Sequence, residues 1–250
     1  MRDRWMSVIG ILAVMMLALM GCAPAAEPAV PFATPENATA TAEGQPAATP
    51  EPTADPYPGW TTYDNAAFGV SFRYPSTWFG PDVYEFENGV RLEVGSDVVY
   101  PYGTGPEDRE PGAPNAYNVV LQYTRNTSGL TLEEYRAAQP WLQDTLAVLD
   151  LQDGESITTA RSLTTRVRAL TVGRFTGVEF TTTLPDTAQT ERLYMRTAFL
   201  MDENLNVIVV NGQPVNVEIA DATAWRATFE ALDASNEPTF RSLVESIQVE

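Results

Sequence analysis

The chain has 250 residues, 44 % of them hydrophobic and 10 % aromatic, which suits one packed domain of ordinary size rather than a disordered chain. Its 33 acidic residues outnumber 15 basic ones, and the resulting charge of −18 repels phosphate backbones and anionic surfaces, which excludes nucleic-acid binding. Every basic residue is arginine, His and Lys are absent, and Cys22 is the single cysteine. This excludes histidine-dependent triads, lysine Schiff bases, Walker-type phosphate loops and cysteine-held zinc.

Arg2 and Arg4 precede an apolar run, Val8 to Met20, of the length of a secretory h-region and shorter than the roughly 20 residues a spanning helix needs. The run closes on Leu19-Met20-Gly21-Cys22, which resembles the bacterial lipobox, with Met20 where a small residue is usual. That resemblance implies a signal peptide over residues 1–21, cleavage after Gly21, and lipidation of Cys22. The chain is then a lipoprotein held at the extracytoplasmic face of a cell membrane. The alternative is a plain secretory signal that ends beside a cysteine by chance. Ala23 is not the Asp of an inner-membrane retention signal, so an outer membrane is open to the protein if its host has two.

Residues 22–58 are rich in Ala, Pro, Thr and Glu and show no apolar period, which predicts a disordered tether. It reaches roughly 110 Å as polyproline and about 35 Å as a flexible coil. Residues 59–250 form the globular domain. Thr61–Tyr63 and Val70–Tyr74 read as strands joined by a turn at Asp64-Asn65, and Pro75 ends the second because it lacks the amide hydrogen a ladder needs. Val83–Phe86 and Val90–Val94 predict a hairpin turning on Asn88-Gly89. The Gly-, Pro- and acid-rich stretch Tyr100–Ala116 reads as a surface loop, followed by a strand over Tyr117–Tyr123.

Thr131-Leu132-Glu133-Glu134 has capping-box form and starts a helix whose buried side carries Leu132, Tyr135, Ala138 and Leu142, with Pro140 breaking or dividing it. Strands are predicted over Arg166–Leu170, Arg174–Thr183, Glu191–Met201 and Leu205–Asn211, the last two joined by the polar turn Asp202-Glu203-Asn204. From Asp221 a helical period carries Trp225, Phe229 and Leu232. After Asn236-Glu237-Pro238, a second helical stretch carries Phe240, Leu243, Val244 and Ile247.

Three of these segments carry a resemblance. The opening Trp/Tyr strand, Phe68-Gly69-Val70-Ser71-Phe72-Arg73-Tyr74-Pro75-Ser76-Thr77-Trp78, and the closing Phe240-Arg241-Ser242-Leu243-Val244-Glu245-Ser246-Ile247 resemble the PsbP-like group of bacterial lipoproteins, which share their fold with an extrinsic subunit of photosystem II. The resemblance spans Trp60 to Val249, with Val70 departing from the usual aromatic. It implies an α+β fold, an antiparallel β-sheet flanked by helices as an α/β/α sandwich. It implies no functional residue here, since this chain has no histidine to carry over as a metal ligand.

Tyr74, Pro75 and Trp78 are a candidate docking patch, because Trp and Tyr are favoured at binding hot spots; the same motif also reads as a structural corner. Asp202, Asn204 and Asn206 mimic the first three ligands of a calcium loop, but Val207 and Gln213 stand where that loop needs Gly and a bidentate Glu. A polar hairpin turn is the simpler reading. Glu107, Asp108 and Glu110 crowd the acidic loop with Arg109 opposing a cation, and Asp186-Thr187-Ala188 lacks the Gly of an aspartic-protease signature. No residue is assigned to catalysis, a metal or a cofactor. The expectation is a lipid-anchored, extracytoplasmic, non-catalytic binding or accessory module of the cell envelope, with an envelope component as partner. A carboxylate-dependent envelope hydrolase is the alternative. A cleft with two carboxylates at catalytic separation favours the enzyme, and an exposed aromatic patch without one favours binding.

Overall fold

Alternating apolar and polar residues build most of the molecule. The computed structural model describes residues 55–138, 148–158, 164–183, 194–219 and 222–250. The leader, Cys22 and the tether up to residue 54 lie outside them, as do Pro140, Leu142 and Asp186-Thr187-Ala188. Strands β1 (Trp60–Asn65) and β2 (Val70–Pro75) pair as a hairpin, with its turn at residues 66–69 rather than at Asp64-Asn65, which pair with Ser71 and Val70, and β12 (Gln248–Val249) adds to β2 as a third strand. The main sheet uses β3 (Phe79–Phe86), β4 (Gly89–Gly95), β5 (Ala116–Thr124), β8 (Arg168–Val172), β9 (Phe175–Thr183), β10 (Tyr194–Met201) and β11 (Val207–Val215). Its order is β3-β4-β5-β11-β10-β9-β8, antiparallel throughout. A small ladder joins β6 (Ser156–Ile157) to β7 (Thr165–Arg166). Two α-helices are described, α1 (Leu132–Ala138) and α2 (Trp225–Glu245), so the class is a sheet-rich α+β.

The strand period of two splits β9, β10 and β11 between two cores, while β2, β4, β5 and β8 feed one. Phe72 of β2, Leu92 of β4, Leu121 of β5, Leu200 of β10 and Ile208 of β11 meet Phe240, Leu243 and Val244 of α2 in the larger core. Their neighbours Phe199, Met201 and Val207 point to the opposite face, where Tyr135 of α1 and Val167 join them, with Leu149 and Ile157 packed alongside. A third cluster of Tyr194, Trp225 and Phe229 seats the start of α2. No described helix is long and apolar enough to cross a membrane.

Several elements depart from the sequence pattern for identifiable reasons. The two expected C-terminal helices are one, with Pro238 inside it. An interior proline costs about 3 kcal/mol, but apolar residues buried on both sides of it, Phe229 before and Phe240, Leu243 and Val244 after, outweigh that cost. The β3–β4 turn is Glu87-Asn88 rather than Asn88-Gly89. Gly89 sits in β4 because a Cβ there would run into the Tyr123 carbonyl and the ring of Phe86, which lies across it. Strand β11 runs on to Val215 through Pro214, which pairs with Tyr117 of β5 beyond the point where β10 pairing ends at Gly212. The missing proline donor therefore breaks no ladder with β10. The capping box forms as read: the Thr131 hydroxyl accepts the Glu134 amide (3.3 Å), and the Glu134 carboxylate accepts the Thr131 amide (2.8 Å).

Candidate functional site

Carboxylates are the first place to look in a chain without His, Lys or a second Cys. The most buried of them form a charge lattice between the sheet and α2. Glu179 from β9 and Asp233 from α2 are 2 % and 1 % exposed. Arg196 of β10 bridges them, with Nη1 2.5 Å from Glu179 and Nη2 2.6 Å from Asp233, and it also reaches Glu237 at 2.8 Å. Arg168 and Arg241 hold Glu179 at 2.7 and 2.9 Å, and Arg241 also pairs with Glu237. The hydroxyls of Tyr117 (2.9 Å) and Tyr194 (3.3 Å) donate to Asp233.

Three guanidinium groups thus meet three carboxylates. Burial opposes ionisation of Glu179, yet hydrogen bonds from Arg241 and Arg168 prevail and hold its carboxyl below the ordinary range. Burial also opposes the charge on Arg196, and the bonds to Asp233 raise its pKa regardless. Tyr117 and Tyr194 are pushed up, first by burial and then by the Asp233 charge. With its groups bound to one another, the lattice pins α2 to the sheet and presents no free acid to a substrate.

The residues singled out in sequence fall in separate places. Tyr74 is 6 % exposed in the larger core, and its hydroxyl donates to the Gly80 carbonyl at 3.1 Å. Pro75 is the half-buried end of β2, paired with Trp60, and Trp78 packs half-buried against the same core. The exposed aromatic surface lies nearby but on other residues, Phe79, Tyr84 and Tyr102. Asp202 accepts the amides of Asn204 (3.0 Å) and Asn206 (2.9 Å), the Asn206 side chain (2.9 Å) and Arg174 Nε (3.1 Å). Burial opposes its charge, but the Asn206 bonds prevail and lower its pKa. Its oxygens therefore organise the hairpin turn. In the acidic loop, Arg109 lies 5.7 Å from the Tyr100 ring and donates to the Thr104 carbonyl (2.9 Å). Among the described residues, no three His, Cys, Asp or Glu side chains group as metal ligands.

Among the concavities of the described residues, two bear on the choice between hydrolase and binding module. One, of about 350 Å³, opens beside the acidic loop against Glu93, Asp97, Glu110 and Arg109. Its acids are partly engaged: Glu93 pairs with Arg91 at 2.5 Å, and Asp97 accepts the Ala113 amide at 2.5 Å. The other is a groove of about 530 Å³ on the face of the main sheet opposite α2. Strand register lays it out: Val120, Asn211, Thr197 and Phe180 stand in one row across β5, β11, β10 and β9, and Gln122, Val209 and Phe199 form the next. Tyr135 of α1 and Phe86 of β3 also line it, with Met195 and Thr182 on β10 and β9. All fourteen described lining residues are uncharged, eight of them apolar or aromatic and six bearing a hydroxyl or amide. A volume within the ordinary range for small-ligand clefts, with an apolar floor and a few polar groups, is the form such sites take.

Sequence reading passed over this groove because its residues alternate with core residues in β5, β10 and β11. A signal was present in Thr197, Asn211, Gln122 and Thr182, polar residues on the strand face that also carries Phe180, Phe199 and Val209. Comparison of the sequence with protein-family models and with curated proteins finds no match.

Proposed function

We propose that this chain is a lipid-anchored, extracytoplasmic, non-catalytic binding module of the cell envelope, tethered through Cys22 and built on a PsbP-like sandwich. The leader and the Leu19-Met20-Gly21-Cys22 motif support the anchor. The antiparallel sheet, with α2 against one face and α1 against the other, supports the architecture. The observation that carries the binding reading is the uncharged lining of the 530 Å³ groove in a molecule whose net charge is −18. An ionic ligand loses hydration there without gaining a counter-charge, whereas a neutral amphipathic one gains both apolar burial and hydrogen bonds.

The hydrolase alternative rests on the smaller pocket at Glu93, Asp97 and Glu110. The two readings separate on a probe pair of similar apolar size. The neutral dye N-phenyl-1-naphthylamine is expected to bind the mature chain saturably, the anionic anilinonaphthalene sulfonate far more weakly, and Val120→Glu is expected to abolish the first. Equal binding of both dyes, or no effect of Val120→Glu, contradicts the groove. Loss of glycosidase or esterase activity on changing Glu93 to Gln, if any such activity is found, establishes the alternative.

A further inference from the structure

The two edges of the main sheet are treated differently. At β8 the edge is covered at its start: the Ala169 amide donates to the Asp153 carboxylate (3.0 Å), and just before the strand the main chain of Val167 is bonded by Gly154 and Glu155 (2.9 Å each). At β3 it is open. Among the described residues, Asp82–Phe86 makes no main-chain hydrogen bond outside its ladder with β4. Its register shift and Pro81 lie at the Phe79–Asp82 end, leaving the five residues Asp82–Phe86 regular. Bulges, prolines and charged side chains are the usual guards of such an edge; here the bulge and the proline stand at one end, and the charges along Asp82–Phe86 are acidic only.

Exposed apolar surface gathers at the same place. Of the six large hydrophobic residues exposed among those described, five are Phe79, Val83 and Tyr84 on β3 and Val98 and Tyr102 just beyond β4. Tyr84 and Tyr102 lie 4.5 Å apart by ring centroid, and the Arg91 guanidinium sits 4.8 Å from the Tyr102 ring. The Tyr102 amide donates to Asp82 at 2.9 Å, so the loop is fastened to the strand rather than loosely beside it. The β3 segment and its turn carry Asp82, Glu85 and Glu87 and no basic residue.

We propose that β3 accepts an extended, cationic segment of a partner protein as an added antiparallel or parallel strand, with Tyr84, Tyr102 and Val83 gripping its side chains. Main-chain bonds supply affinity in strand addition, and alternate side chains supply selectivity. Charge decides the occupant. A second copy of this chain brings Glu85 and Glu87 against their own kind and adds another net charge of −18. The chain's own stretch from Ala23 to Pro58 holds no basic residue and five acidic ones, so it is no better matched. A Lys- or Arg-bearing segment from another protein is.

The test uses the full mature chain and a nine-residue peptide alternating Lys with Val and Thr, beside its Glu-for-Lys counterpart and an isomer of the Lys peptide N-methylated at alternate residues. The Lys peptide is expected to bind and to slow amide exchange within Asp82–Phe86. N-methylation, which keeps the charge and removes the bonding edge, is expected to abolish binding. Charge reversal by Glu85→Lys with Glu87→Lys should weaken it about tenfold or more. Absence of binding, equal binding of the N-methylated isomer, or protection confined to other strands overturns the proposal. The groove on the sheet face is untouched by any of these outcomes.

Discussion

Replacing Arg196 with Met is the most informative single perturbation of the fold. Among the described residues, Arg196 is the one cation in contact with Asp233, whose other partners are the neutral hydroxyls of Tyr117 and Tyr194. Glu179, by contrast, keeps Arg168 and Arg241 when Arg196 is removed. The variant therefore leaves one uncompensated carboxylate, on a residue 1 % exposed, and such a loss costs about 3–5 kcal/mol. With a urea slope of about 2 kcal/mol/M, the unfolding midpoint should fall by roughly 1.5–2.5 M. Combining Arg196→Met with Asp233→Asn removes the stranded charge and should recover more than half of that loss. Urea unfolding followed by far-UV circular dichroism reads the single and the double variant alike. A single variant within 1 kcal/mol of wild type, or a double variant no better than the single, refutes the reasoning.

Five further outcomes are expected, four of them from the same geometry and the last from the sequence around Cys22. Glu179 and Asp202 have folded pKa values below their unfolded ones, so the native state binds fewer protons and their stabilisation, complete above the ordinary carboxylate range near 4, is lost as pH falls below it. Tyr117 and Tyr194 have raised folded values, so stability should be intact below about pH 10 and decline above it, with tyrosinate absorbance rising together with unfolding; ionisation of all tyrosines without unfolding contradicts this. Gly89→Ala forces a methyl against the Tyr123 carbonyl and Phe86 and should cost about 1–3 kcal/mol in a thermal melt. Thr131→Ala removes one half of the capping box and should raise amide exchange in α1 by about 1 kcal/mol of local stability while leaving the global midpoint almost unmoved. Cys22→Ser should release the protein from the membrane fraction, and retention there contradicts lipid anchoring.

The strands were legible where one face is apolar and the other polar, as in β2 and β5, and the start of α1 was legible from Thr131 and Glu134, although Leu132, expected on its buried side with Tyr135, is 38 % exposed. What escaped has a common physical cause. In β9 the inward position of Glu179 belongs to the charge lattice, so apolar alternation through Phe175, Val178 and Phe180 shifts face midway and hides the register. Arg196 in the run Tyr194–Met201 and Asp233 one helical turn after Phe229 stand at core positions. A charge at such a position is itself a sign of a buried partner, but the sequence does not say which of many acids and arginines it meets. The short strands β6, β7 and β12 hold two residues each, too few for any period to show. Trp78 and Tyr74 were conspicuous by residue type, yet Tyr74 is spent on the core and Trp78 packs half-buried against it. The groove was inconspicuous because mixed apolar and amide side chains on one face look like an ordinary half-exposed sheet.

Residues 22–250, the part that the proposed cleavage would leave, contain two methionines, and they stand in contrasting places: Met195 lines the groove, and Met201 is buried in the neighbouring core. Selective 13C-methyl labelling therefore gives two resonances, one of which watches the proposed binding surface. Titration with the neutral dye should shift the Met195 methyl saturably, in step with dye fluorescence, while leaving Met201 nearly unmoved, and Val120→Glu should suppress the shift. A Met195 resonance that stays fixed while the dye binds would place binding elsewhere and contradict the groove as the site of function.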